Sequence, residues 1–173
     1  DMDKASEESS IIFLGDNIYP YGMPSKDNKS DRERAEHKLN VQIDMVKDFK
    51  GKIMFIPGNH DWMVHGLKGV NRQQKYIEKQ LNLKRNGTDD DDDDDWEDYF
   101  FPSDGCGDPE VVEINDKLVY ILIDSQWYIQ NWNTDQSINE GCDIKSREIW
   151  SDNLEALVRK NRRKNVVIAM HHP

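Results

Sequence analysis

Three short apolar runs, each ending abruptly in side chains that bind metals, constrain this chain more than any other feature. They are "IIFLGDNIY" at 11–19, "KIMFIPGNHDW" at 52–62 and "NVVIAMHHP" at 165–173. A run of four or five apolar residues closed by Gly or Pro reads as a short buried strand. In an α/β sheet, ligands gather beyond the carboxyl ends of the strands. Those ends are where Asp16, Asn17 and Tyr19, then Asn59, His60 and Asp61, then His171 and His172 stand. Carboxylate, amide and imidazole suit divalent metals, whereas a phenolate suits a hard trivalent iron.

The rest of the chain supplies the layers around those strands. Leu39, Ile43, Val46 and Phe49 recur at helical spacing, so 31–49 reads as a helix ended by Gly51. Tyr76, Ile77 and Leu81 predict a second helix over 70–81. Residues 110–114 and 118–124 read as two strands around the short "NDK" turn, with Asp124 as a cap. A third helix covers 146–161 with Ile149, Leu154, Leu157 and Val158 facing inward, and 166–170 forms the last strand. The order β-α-β-α-β-β-α-β predicts one layered α/β domain over 1–173. Trp62, Trp127, Tyr128 and Trp132 lie in the loops near the strand ends, where packing is favoured over stacking on a ligand.

Charge bears on partners. The formal −11 is local: the nine acids between Asp89 and Asp98 account for all but −2 of it. A homopolymeric acidic tract repels itself, so 88–98 reads as a solvated, disordered loop insertion. A calcium site would space its carboxylates and use Gly for the turn. No basic patch with interleaved aromatics predicts a nucleic-acid partner. No apolar run reaches the roughly 20 residues of a membrane helix, so no membrane contact is expected from this segment. Cys106 and Cys142 sit in Gly/Asp-rich loops. That placement invites pairing and, with it, an oxidising compartment. Two independent thiols are the other reading.

Taken together, "GDNIY", "GNHD" and "MHHP", in that order, resemble the calcineurin-like metallophosphoesterase superfamily. Gly-Asp-x-x-Tyr is similar to its purple acid phosphatase branch. The resemblance implies an α/β/β/α sandwich and a binuclear centre, Fe(III) beside Zn(II), Mn(II) or Fe(II), that hydrolyses a small phosphate ester. It implies Asp16 as the bridging ligand, Tyr19 on the iron, and Asn59 and His171 on the second metal. His60 would face the leaving group as acid or charge stabiliser, with Asp61 orienting its ring. His172, Asn17 and His65 are candidates for supporting or substrate contacts, and His37 reads as a surface residue. Relatives also carry an Asp-x-His or Asp-x-Gly strand upstream and a Gly-His-x-His segment downstream. Neither is present in these residues, so the sandwich is expected to be incomplete at both ends and the first metal weakly held. An iron-free relative acting on diesters or nucleotides, and a degenerate interaction module contacting partners through its acidic tract, are the alternative readings. Loop cysteines and resemblance together point to an extracytoplasmic setting.

Overall fold

The computed structural model describes residues 4–88, 94–131, 142, 144 and 146–173. Among the described residues, three helices, two short helical turns and five strands follow in the order β1 (Ser10–Leu14), α1 (Lys29–Val46), β2 (Lys52–Ile56), α2 (Leu67–Arg85), a 3-10 turn (Ser103–Gly105), β3 (Glu110–Asn115), β4 (Leu118–Leu122), α3 (Ser125–Ile129), α4 (Arg147–Lys160) and β5 (Asn165–Ala169). Sequence periodicity does not reveal α3: five residues are too few to show a helical repeat.

Two sheets form. β1 and β2 pair in parallel from Ser10↔Lys52 to Leu14↔Ile56. β3 and β4 form the expected antiparallel pair, and β5 adds to β4 in parallel. Alternation along β2 shows how the layers stack. Ile53 and Phe55 pack with Leu39, Ile43 and Val46 of α1 and Val70, Ile77 and Leu81 of α2. Met54 and Ile56 point the other way, against Leu122 of β4 and Ala169 of β5. Behind the second sheet, Ile121 and Val166 share a cluster with Trp150, Leu154 and Leu157 of α4. This is the α/β/β/α layering. Each of the four apolar β2 side chains is at most 2% exposed, and burying one contributes about 1.5–3 kcal/mol.

Details at the helix ends differ from the sequence reading. α1 stops at Val46, and Phe49 is buried beyond it through its own N–H bond to the Val46 carbonyl. In α4 the inward residue is Trp150, while Ile149 is exposed. The larger aromatic fills the space, and its indole N–H donates to the Gly107 carbonyl. Cys106 and Cys142 are joined by a disulfide. Residues 89–93 of the acidic tract, and Trp132 with most of the loop around it, lie outside the described residues.

Candidate metal centre

β1 and β2 are parallel, so their carboxyl ends open on the same edge, and β5 brings a third end there. The turns beyond them are packed as closely as the backbone allows. A Cβ on Gly15 would stand 2.7 Å from Gly58 Cα and from His171 Nδ1. A Cβ on Gly58 would stand 2.4 Å from Asp16 Oδ1. Gly15 has φ +91° and Asp16 itself φ +55°. A left-handed Asp stores strain of the kind that clusters at functional sites, and here it turns the carboxylate toward the other two loops.

There the side chains meet. His171 Nδ1 donates to the Leu14 carbonyl at 2.7 Å. That bond fixes the neutral ring with its Nε2 lone pair free. Nε2 faces Asn59 Oδ1 at 3.1 Å and Asp16 Oδ1 at 3.5 Å. The bare Nε2 thus meets two acceptor oxygens, an arrangement that a shared cation would relieve. Ligand atoms that share a cation at about 2.0–2.2 Å sit roughly 3–3.5 Å apart, so the donor set and its spacing fit a divalent metal. Among the described residues no group of three or more His, Cys, Asp and Glu side chains is arranged to hold an ion. The cluster is mixed, with the Asn amide oxygen in the third place.

His60 stands on the other flank of Asp16. Its backbone N–H donates to Asp16 Oδ1 at 3.0 Å, and its Nε2 is 4.0 Å from Oδ2. The expected Asp61–His60 contact is corrected here: the group that orients the His60 ring is the Pro20 carbonyl, 2.6 Å from Nδ1. Asp61 is fully buried and turned the other way. Its carboxylate accepts the backbone N–H groups of Gly58, Asn17 and Ile18 and the Asn17 side-chain amide. It thereby ties the loop after β1 to the loop after β2. Burial pushes the Asp61 carboxyl up, against the downward pull of those backbone N–H groups. Asn17 completes the tie by donating to the Ile56 carbonyl at 2.9 Å.

The other candidates fall outside the cluster. Tyr19 is 59% exposed, and its ring tilts over His60 with centroids 4.2 Å apart. His65, also exposed, accepts from Arg72 at 2.7 Å and lines a cavity of about 770 Å³ between the 18–25 loop and α1. His37 is exposed on α1. His172 stands edge-on to His171, with ring centroids 4.7 Å apart. Trp62 and Trp127 are buried, and Tyr128 packs on Trp150. The Trp62 indole N–H and the Trp127 backbone N–H both donate to Asp124. Burial pushes that carboxyl up to about 7. Sequence reasoning passed over Ser125, whose hydroxyl meets His172 Nδ1. It also passed over the Leu14 and Pro20 carbonyls, because backbone groups leave no side-chain signal.

A family model for the calcineurin-like phosphoesterases matches residues 2–173. The chain belongs to this family. Neither the curated proteins nor the solved structures give a significant match. A calcineurin-like phosphoesterase is a metal-dependent hydrolase of phosphate esters, and the family generally uses two divalent metal ions. No helix among the described residues is long and apolar enough to cross a membrane.

Proposed function

We propose that this calcineurin-like phosphoesterase cleaves small phosphate esters at a cation held by Asp16 Oδ1, Asn59 Oδ1 and His171 Nε2. The observation that carries the reading is the approach of Asn59 Oδ1 and Asp16 Oδ1 to His171 Nε2, at 3.1 and 3.5 Å, with the His171 ring held in its ligand form by the Leu14 carbonyl. When bound, the metals of such a centre activate a water and offset charge on the phosphoryl oxygens. The chain's own groups do the remaining work. Asn59 is neutral, so it leaves metal charge uncompensated for the phosphate. His60, with Nδ1 committed to Pro20, presents Nε2 as the atom that passes a proton to the leaving oxygen. Asp61 holds the two loops that carry Asp16, Asn59 and His60 in register.

The finer reading is a purple-acid-phosphatase-like monoesterase, with Fe(III) on Tyr19 and Asp16 and a Zn(II), Mn(II) or Fe(II) partner. Gly-Asp-x-x-Tyr supports it. Tyr19's exposed ring leaning on His60 favours a second reading, an iron-free phosphoesterase in which Tyr19 walls the substrate side. Visible absorbance of the iron-loaded protein separates them: a phenolate band lost in Tyr19→Phe supports the first, and no band supports the second. Hydrolysis of an aryl phosphate with metal supplied tests both. His60→Ala is expected to lose about 10²–10⁴-fold in kcat, and Asn59→Ala to lose activity with its metal. An inert metal-supplied wild type would favour the interaction-module reading instead. The Cys106–Cys142 disulfide supports an oxidising, extracytoplasmic setting for the chain.

A further inference from the structure

Two adjacent histidines end β5's run, and their ring nitrogens have different partners. His171 Nδ1 meets a carbonyl, which can only accept, so this nitrogen carries the proton and Nε2 is bare. His172 Nδ1 meets the Ser125 hydroxyl at 3.0 Å. That hydroxyl already accepts the backbone N–H of His172, also at 3.0 Å. Its own proton needs an acceptor, and among the described residues the one it meets is His172 Nδ1. Donation of that proton to Nδ1 leaves the neutral His172 ring protonated on Nε2.

We propose that Ser125 is a positioning residue that holds His172 as an Nε2–H donor, and that this N–H binds a phosphoryl oxygen of the substrate beside the cation held by His171. Side by side, one histidine then offers a lone pair and its neighbour a hydrogen-bond donor, which is the pairing a metal-bound phosphate needs. His172 lies edge-on to His171, with centroids 4.7 Å apart, and is partly exposed. Ser125 is 7% exposed and sits at the first position of α3, where Asp124 caps the turn through the Trp127 N–H. The hydroxyl is thus fixed by the fold and not by the ligand. The proposal rests on the phosphoesterase reading for its substrate but not for its tautomer.

Nitrogen-15 NMR of the histidine rings in the metal-free full chain, at a pH where imidazole is neutral, reads the tautomer without turnover. The expected spectrum shows His172 protonated on Nε2, unchanged in Ser125→Thr and mixed in Ser125→Ala. With metal and an aryl phosphate, His172→Ala should raise KM roughly tenfold or more, with a smaller change in kcat. Ser125→Ala should follow in the same direction, and Ser125→Thr should restore the wild-type KM. A His172 ring protonated on Nδ1, or a Ser125→Ala spectrum identical to wild type, overturns the inference while leaving the phosphoesterase reading intact. A correct tautomer in a chain that hydrolyses nothing overturns that reading, and the phosphate contact with it. A correct tautomer with an unchanged KM in His172→Ala overturns the phosphate contact alone.

Discussion

At the residue scale, Asp61 shows how one buried carboxylate can serve a site without touching its chemistry. It accepts from Gly58, Asn17 and Ile18, and so clamps the two loops that carry Asp16 and Asn59. Asp61→Ala would leave buried N–H groups unpaired. The expected cost is about 3 kcal/mol or more, read as a shifted urea midpoint with unchanged slope. A cost below about 1 kcal/mol would contradict the clamp. Gly58→Ala tests the same crowding from the other side. With a Cβ 2.4 Å from Asp16 Oδ1, metal affinity should fall even though no ligand has been removed. Which residues gather here was legible, because "GDNIY", "GNHD" and "MHHP" name them. Their partners were not: the roles of Pro20 and Leu14 belong to backbone carbonyls that only the folded loops bring into place.

At the scale of elements, the strands were the easiest to read and, among the long helices, α2 the hardest. Four-residue apolar runs bounded by Gly or Pro admit few alternatives. α2 instead buries Gln73, Gln74, Glu78 and Asn82 beside Val70, Ile77 and Leu81, so its inward face looks half solvent-facing in the sequence. One of them, Asn82, holds the segment that leads to β3: its Nδ2 donates to the Glu97 carbonyl, and its Oδ1 accepts the Glu97 N–H. Glu78 has a measurable consequence. Burial pushes its carboxyl up to about 8, against the pull of Gln74. The folded state therefore holds this proton more tightly than the unfolded chain does. Stability from this group is complete below about pH 4.3 and is lost as pH rises toward 8. Glu78→Gln should match wild type at pH 5 and exceed it at pH 8 by a margin on the order of 2–4 kcal/mol, measured by urea unfolding at both values. Equal slopes with pH for the two proteins would contradict the assignment.

Across the whole molecule, a helix pair, two sheets and α4 bring together three strand ends that are far apart in sequence. The layering and the convergence could be expected from the order of elements. How the β3–α4 half is secured was legible only in part: the two loop cysteines invite pairing, but the aromatic contacts are encoded by no periodicity. The Trp62 indole reaches Asp124 across 62 positions, and the Cys106–Cys142 disulfide closes a separation of 36 residues. A loop of that length, cross-linked in the unfolded state, contributes about 3–4 kcal/mol. The Cys106→Ser, Cys142→Ser double variant should unfold at correspondingly lower urea, and a difference under about 1 kcal/mol would show that the bridge does not restrain the fold.

The proposed function depends on the ends of β1, β2 and β5 sharing one cation. The direct test is calorimetric titration of Zn(II) or Mn(II) into the metal-free chain and into Asp16→Ala, Asn59→Ala and His171→Ala. The account predicts saturable binding by the wild type and a loss of tenfold or more in affinity for each variant, although the three residues lie on separate loops. Wild-type affinity retained in all three variants would contradict it.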